Sequence, residues 1–144
     1  MTRGIFRFVT GWLFVVVVAA PSFGSERREQ RNVYVSAGRE TRVASYGTPD
    51  EKCGPGIGPK IEVVDRPSYG TLTDKAVRII AERSAIAQPD HPCLGRFIDA
   101  IAVFYRPVAG FRGSDRIRLR IRLGTIPPTG ETAILEEEIF ISVR

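Results

Sequence analysis

The stretch Tyr-Arg-Pro-Val-Ala-Gly-Phe-Arg-Gly-Ser-Asp-Arg-Ile-Arg-Leu-Arg-Ile-Arg-Leu, residues 105–123, decides the fold class. In its second half, charged and aliphatic side chains alternate without a break: Arg116, Arg118, Arg120 and Arg122 on one side, Ile117, Leu119, Ile121 and Leu123 on the other. Only an extended chain, with its side-chain period of two, separates these two sets. The pattern therefore predicts a β-strand with one face in a core and the other in water.

Short segments elsewhere in the chain show the same strand character. They are residues 33–35, 41–46, 60–65, 71–73, 97–105 and 133–143, with turn residues between them. Residues 76–87 suit either a strand or a short helix, and their β-branched content favours the strand. No segment has a convincing helical pattern. We therefore predict an all-β domain over residues 33–144, an antiparallel β-sandwich of about seven strands.

The N-terminus has the layout of a secretory signal peptide over residues 1–24. Arg3 and Arg7 precede an apolar run from Phe8 to Ala20, and small residues at Ser22 and Gly24 mark a cleavage position. An uncleaved membrane anchor is the alternative, but the run has 13 residues, whereas a membrane span needs about 20. We expect export to the periplasm or the cell exterior, with no integral membrane span after cleavage.

Residues 25–32 are polar or charged throughout, and they predict a flexible, solvated N-terminal arm. The net charge of the full chain is +5, and it falls to +3 once Arg3 and Arg7 are removed with the leader. Both signs are well mixed along the rest of the chain. This balance indicates a mildly basic surface and argues against a nucleic-acid partner.

Two cysteines, Cys53 and Cys93, remain in the exported chain. An even pair in such a chain favours a disulfide, which would contribute about 3–4 kcal/mol by the chain-entropy model. The alternative is a pair of free or metal-bound thiols. One histidine, His91, is too few to complete an ordinary zinc site with them, so we expect no metal.

The arginine strand has two interpretations. The final strand carries Glu136, Glu137 and Glu138, and cross-strand neighbours lie about 5 Å apart, so an ion-pair ladder can form on the wet face of a hairpin. Alternatively, the strand is an anion-binding stripe for acidic glycan or lipopolysaccharide phosphate, formed by Arg116, Arg118, Arg120 and Arg122. The ladder is the simpler interpretation, because exposed cross-strand pairs are common and also discourage edge-to-edge aggregation.

The sequence offers little for catalysis. A serine triad would have to use His91, and no Gly-x-Ser-x-Gly elbow is present. Paired carboxylates for glycoside hydrolysis could be drawn from sixteen acidic residues, but nothing singles out one pair. We therefore expect no enzyme activity and no cofactor, with a hydrolase as the less favoured alternative.

Two motifs resemble those of bacterial Ig-like and cadherin-like domains. The first is Pro67-Ser68-Tyr69-Gly70-Thr71-Leu72, and the second is Tyr105-Arg106-Pro107 followed by Gly110-Phe111-Arg112-Gly113-Ser114-Asp115 and a strand. The resemblance implies an Ig-like sandwich in which the motif residues are architectural: Pro67, Tyr69, Gly70, Tyr105, Pro107, Gly110, Phe111, Gly113 and Asp115. Family members usually occur in tandem, whereas this chain holds a single copy and lacks the acidic calcium clusters of cadherin junctions.

The physical roles of these residues follow from their chemistry. Gly110 and Gly113 permit turn dihedrals closed to other residues. Asp115 can accept backbone N–H bonds, and Phe111 can close one end of the core beside Tyr105. We expect a non-catalytic, exported binding or structural module of the cell envelope that contacts a protein or a glycan. The alternative is a polyanion binder that uses the arginine strand.

Overall fold

The computed structural model of the chain describes residues 26–86, 90–126 and 131–144. These ranges contain seven β-strands and no helix, which confirms the prediction of an all-β chain. The strands are β1 (Glu26–Val35), β2 (Thr41–Tyr46), β3 (Lys60–Asp65), β4 (Gly70–Ile80), β5 (Phe97–Pro107), β6 (Gly113–Ile126) and β7 (Glu131–Val143).

The strands form two sheets. The larger sheet has the order β1-β7-β6-β3, and the smaller sheet has the order β2-β5-β4. All pairs are antiparallel except β1 with β7, which is parallel. The expected purely antiparallel arrangement is wrong at this one place. Residues 36–40 carry the chain from β1 to β2 in the other sheet, so no hairpin forces β1 to run against its neighbour.

The core lies where the two sheets face each other. The aliphatic residues of β6 are fully buried at Ile117, Leu119 and Ile121, and they join β7 residues such as Ile139 in one cluster. The smaller sheet contributes to the same cluster through Tyr46, Val103 and Tyr105, among others. The alternation in the opening stretch is therefore confirmed as one buried and one solvent-facing side of a strand.

A flexible arm is predicted over residues 25–32, of which the structure describes residues 26–32, and these belong to strand β1. Glu26 to Val35 pair in continuous register with Ile134 to Val143 of β7. The charged side chains that suggested a solvated arm find partners on β7: Arg28 lies 3.5 Å from Glu136, and Gln30 donates a hydrogen bond of 3.2 Å to Glu138. Pairing with a distant strand, rather than local sequence, makes this segment a strand.

Residues 76–80 belong to β4, in line with the favoured strand interpretation, and residues 83–85 form a turn. Beyond β4 the chain packs on the smaller sheet as a second cluster of Ala81, Ile86, Cys93 and Ile98. The predicted disulfide between Cys53 and Cys93 is present, with 2.15 Å between the two sulfur atoms. It joins the Gly/Pro-rich loop after β2 to the loop before β5.

The predicted signal peptide, residues 1–24, lies outside the described residues. Within the described ranges no helix is long and apolar enough to cross a membrane.

Candidate functional site

The motif residues meet at one corner of the molecule, around the buried carboxylate of Asp115. This carboxylate accepts hydrogen bonds of 2.9 Å from four donors: the backbone N–H groups of Ser68, Tyr69 and Arg116, and the hydroxyl of Tyr105. The Tyr105 hydroxyl also lies 3.1 Å from the carbonyl oxygen of Tyr69. Burial, reinforced by the hydrogen bond to Asp115, raises the pKa of Tyr105.

The turns on either side of Asp115 are held by aromatic packing and close backbone approach. The rings of Tyr69 and Phe111 stack with their centroids 4.4 Å apart. Gly110 and Gly113 have positive φ values of 78° and 139°, which glycine adopts without steric cost. Gly70 pairs with Pro107 and lies against the Tyr105 ring. Pro67 directly precedes Ser68 in this corner. The hydrogen bonds to Asp115 of β6 from the Ser68–Tyr69 turn and from Tyr105 of β5 connect the two sheets here.

The outer face of the larger sheet carries the predicted arginine stripe in rows of alternating charge. Residues opposite each other in register point to the same face. The register places Arg28, Glu136, Arg120 and Glu62 in one row across four strands. The N–O distances along this row are 3.5, 2.6 and 3.9 Å. Hydrogen bonds from Arg120 hold the pKa of Glu136 below its usual value.

The next row continues the ladder. Gln30, Glu138, Arg118 and Asp65 lie opposite one another, and Arg118 forms an ion pair of 3.0 Å with Asp65. Arg116 reaches Glu138 diagonally at 3.1 Å. Carboxylates therefore pair with three of the four stripe arginines. The fourth, Arg122, lies opposite Lys60, and neither has an ion-pair partner among the described residues.

Glu137 does not belong to the ladder, although its sequence position between Glu136 and Glu138 suggested it. The side-chain period of two turns Glu137 inward, where it is 1% exposed. There it accepts a hydrogen bond from Tyr46 and forms an ion pair of 2.6 Å with Arg31 of β1. Burial and the charge of Glu137 raise the pKa of Tyr46. This pair, between the buried Glu137 and the partly exposed Arg31, ties the edge strand β1 to the core.

At the opposite end of the smaller sheet lies a different group of cations, which have no carboxylate partner among the described residues. Lys52, Arg78, Arg96 and Phe97, together with Cys53, line a shallow depression of about 410 Å³. We call Lys52, Arg78, Arg96 and Phe97 the basic cluster. Phe97 is 59% exposed, and the guanidinium carbon of Arg78 lies 5.8 Å from its ring centroid.

The disulfide explains how the basic cluster forms from three separate segments. Lys52 precedes Cys53, while Arg96 and Phe97 follow Cys93 closely, so the crosslink brings them together. Arg78 comes from the adjoining end of β4. Sequence reasoning missed this site because its residues have no shared local motif. The one available signal was a basic residue close to each cysteine.

His91, the histidine that a catalytic or zinc site would need, takes part in a hydrogen bond with the backbone. The Nδ1 atom of His91 accepts a hydrogen bond of 3.2 Å from the backbone N–H of Cys93. The residues that the structure describes contain no group of three or more His, Cys, Asp or Glu side chains placed to hold a metal ion.

Comparison of the chain with protein-family models, with curated proteins and with solved structures finds no match.

Proposed function

We propose that this chain is an exported, non-catalytic binding module of the cell envelope, with an Ig-like architecture, that binds an acidic glycan through the basic cluster. One observation carries the proposal: Lys52, Arg78 and Arg96 line one depression with the exposed ring of Phe97, and none of the three cations pairs with a carboxylate among the described residues. The arginines of β6, in contrast, are mostly neutralised within their own sheet.

The strand order supports an Ig-like architecture. Ig domains place their second, fifth and fourth strands in one sheet and their third, sixth and seventh strands in the other. The orders β2-β5-β4 and β3-β6-β7 have this arrangement. The first strand lies beside the last strand rather than beside β2, a variation at the sheet edge that leaves the central order unchanged.

Two features support export. The signal-peptide pattern over residues 1–24 predicts secretion, and the disulfide between Cys53 and Cys93 is of a kind that persists in oxidising compartments. The disulfide also supports the binding site itself, because it holds Lys52 beside Arg96 and Phe97. In this proposal an oxidising compartment is a condition for an assembled basic cluster.

The chemistry of the cluster favours a polymer with repeated anionic groups. Small-molecule sites usually enclose most of their ligand, whereas this depression is shallow and open. Arginine guanidinium groups bind carboxylates and phosphates in bidentate fashion, and Phe97 offers an exposed apolar surface between them. A chain of acidic sugars can place successive charges on such a surface without being enclosed.

The test is calorimetric titration of polygalacturonate into the oxidised protein at several salt concentrations. We expect binding that weakens as salt rises. The variant Lys52→Ser/Arg96→Ser should lose at least about ten-fold in affinity, or about 1.4 kcal/mol. The matched control, Arg112→Ser/Arg122→Ser, removes the same charge from other exposed positions and should change affinity less than about two-fold.

Three outcomes contradict the proposal. An equal loss in both variants would show that net charge alone attracts the polymer. A loss confined to the control would place the contact at Arg112 or Arg122 instead of the basic cluster. Binding of polyglutamate without binding of polygalacturonate would indicate an acidic protein partner instead of a glycan.

A further inference from the structure

The free edge of the smaller sheet is long and regular. β4 spans eleven residues and keeps one continuous register from Gly70 to Ile80 with β5, which is its one partner among the described strands. The other edge strands are protected in known ways. β2 and β3 have six residues each and a register shift, and the first seven residues of β1 are all charged or polar. β4 contains neither a proline nor a register shift.

An edge-strand lysine can prevent pairing with another strand, but the one lysine of β4, Lys75, is not placed to do so. The Nζ atom of Lys75 lies 2.7 Å from a carboxylate oxygen of Glu40 and 4.7 Å from the ring centroid of Phe104. Phe104 belongs to β5 and Glu40 directly precedes β2, so the lysine side chain leans back across the sheet. Among the described strands no second neighbour pairs with β4, so the N–H and C=O groups on its outer side are available to another strand.

Alternate residues of β4 form a self-complementary series. The series shares one face of β4, on which Leu72 packs against the core, and its members are Leu72, Asp74, Ala76, Arg78 and Ile80. Three of them are exposed and polar or small, at Asp74, Ala76 and Arg78, and Ile80 is 52% exposed. Neither Asp74 nor Arg78 has an ion pair with another described residue. The series begins and ends with an apolar residue and has the small Ala76 at its centre. Between the centre and the two ends lie the opposite charges of Asp74 and Arg78.

We propose that two copies of this chain pair along β4 in antiparallel orientation, with the two-fold axis at Ala76. This register places Asp74 of each copy opposite Arg78 of the other, and Leu72 of each opposite Ile80 of the other. The two Ala76 residues meet at the axis without a clash of large side chains. The two three-stranded sheets become one six-stranded sheet, and both aliphatic and charged groups find cross-strand partners.

Neighbouring registers are poorer. An axis at Lys75 would place the two Lys75 side chains opposite each other and Leu72 opposite Arg78. An axis at Val77 would place Asp74 opposite Ile80. Like charges directly opposite destabilise a sheet, whereas each opposite-charge pair contributes about 0.2–1 kcal/mol. The sequence of β4 thus specifies one register by both attraction and repulsion.

The dimer is separate from glycan binding and does not depend on it. Arg78 is the one residue shared by the β4 edge and the basic cluster. Dimerisation would place two basic clusters on one continuous sheet, so that a long polymer could contact both copies. Because Lys52 and Arg96 take no part in the edge pairing, the glycan-binding variant described above should still dimerise.

The test is a charge exchange measured by sedimentation equilibrium of the oxidised protein. We expect a wild-type dimer whose dissociation constant rises at least ten-fold in Asp74→Arg and in Arg78→Asp, because each single variant places like charges opposite each other. An equimolar mixture of the two single variants restores opposite charges at both positions. We therefore expect the mixture to form a heterodimer and the double variant Asp74→Arg/Arg78→Asp to form a homodimer.

Matched controls separate the edge from general effects of charge. Asp90→Arg makes the same change of charge at an exposed position of the loop before β5, outside the β4 register, and should leave the wild-type dimer intact. Ala76→Lys places two ammonium groups at the axis and should give a folded monomer by circular dichroism. A monomeric wild-type protein at millimolar concentration would overturn the proposal, as would a dimer that neither single charge change weakens or a mixture of the single variants that fails to associate.

Discussion

Replacing Asp115 by alanine removes the acceptor that joins the Pro67–Gly70 turn to β5 and β6. The variant leaves four donors without their partner, among them the Tyr105 hydroxyl, whose residue is fully buried. A hydrogen bond to a charged group contributes about 1.5–3 kcal/mol, but donors near the surface can recover water. We expect a loss of about 4 kcal/mol in the free energy of unfolding, at the upper end for a single substitution.

Partial replacements should give intermediate losses. Asp115→Asn keeps one acceptor oxygen and turns an amide donor toward an N–H group, which should cost about 2–3 kcal/mol. Tyr105→Phe removes one hydroxyl and should cost about 1–2 kcal/mol. In the double variant Asp115→Ala/Tyr105→Phe the two losses should not add, because both remove the same hydrogen bond.

The assay is urea unfolding followed by far-ultraviolet circular dichroism, since the single tryptophan, Trp12, lies in the predicted signal peptide. A loss of 4 kcal/mol should lower the melting temperature by about 15 °C for a domain of this size. The control is Asp99→Ala, which removes an exposed acid of β5 and should change stability by less than about 0.5 kcal/mol. Equal losses in the Asp115 and Asp99 variants would refute the reasoning.

Four further variants test other contacts. A Cβ atom at Gly70 would lie 2.2 Å from the Tyr105 ring and 2.8 Å from a backbone oxygen, so Gly70→Ala should cost about 1–3 kcal/mol in thermal melts; an unchanged melting temperature would contradict this. Glu137→Ala leaves the charge of Arg31 unpaired near the core and should cost about 3–5 kcal/mol, whereas Glu137→Gln should cost less, and both are measured by urea unfolding. The pKa of Glu136 is lower in the folded state than in the unfolded state, where it is about 4.3. The ionised carboxylate therefore stabilises the fold at pH values above the unfolded pKa, and this stabilisation is lost as the pH falls through the folded pKa. In urea titrations from pH 6 to pH 3, Glu136→Gln should therefore lose less stability than the wild type; identical slopes would count against this ion pair.

Several features could be predicted from local sequence because their physical causes are local. The alternation over residues 116–123 can bury one set of side chains only in a strand, and β6 buries that set. The motif with Gly110, Gly113 and Asp115 combines turn dihedrals with a hydrogen-bond acceptor, and the structure brings these residues together. The cysteine pair likewise indicated a crosslink between two irregular loops.

The remaining features depend on contacts between segments that are far apart in the chain. Residues 26–32 have no strand pattern of their own, and β7 makes them a strand by pairing with their backbone. The sequence shows how many arginines β6 carries. How much of their charge is neutralised depends on which carboxylates the register places opposite them. Glu62 and Asp65 of β3 could not be assigned to this ladder before the strand order was known.

The sequence by itself determined the strand character, the turns and the cysteine pair, because backbone dihedrals and side-chain periodicity act over a few residues. Only the tertiary structure decided which charged side chains form ion pairs and which remain available to a ligand. It pairs three of the four stripe arginines with acids, buries Glu137 beside Tyr46, and brings Lys52, Arg78 and Arg96 together with Phe97. Electrostatic interactions depend on distance in space, and strand order and the disulfide set those distances.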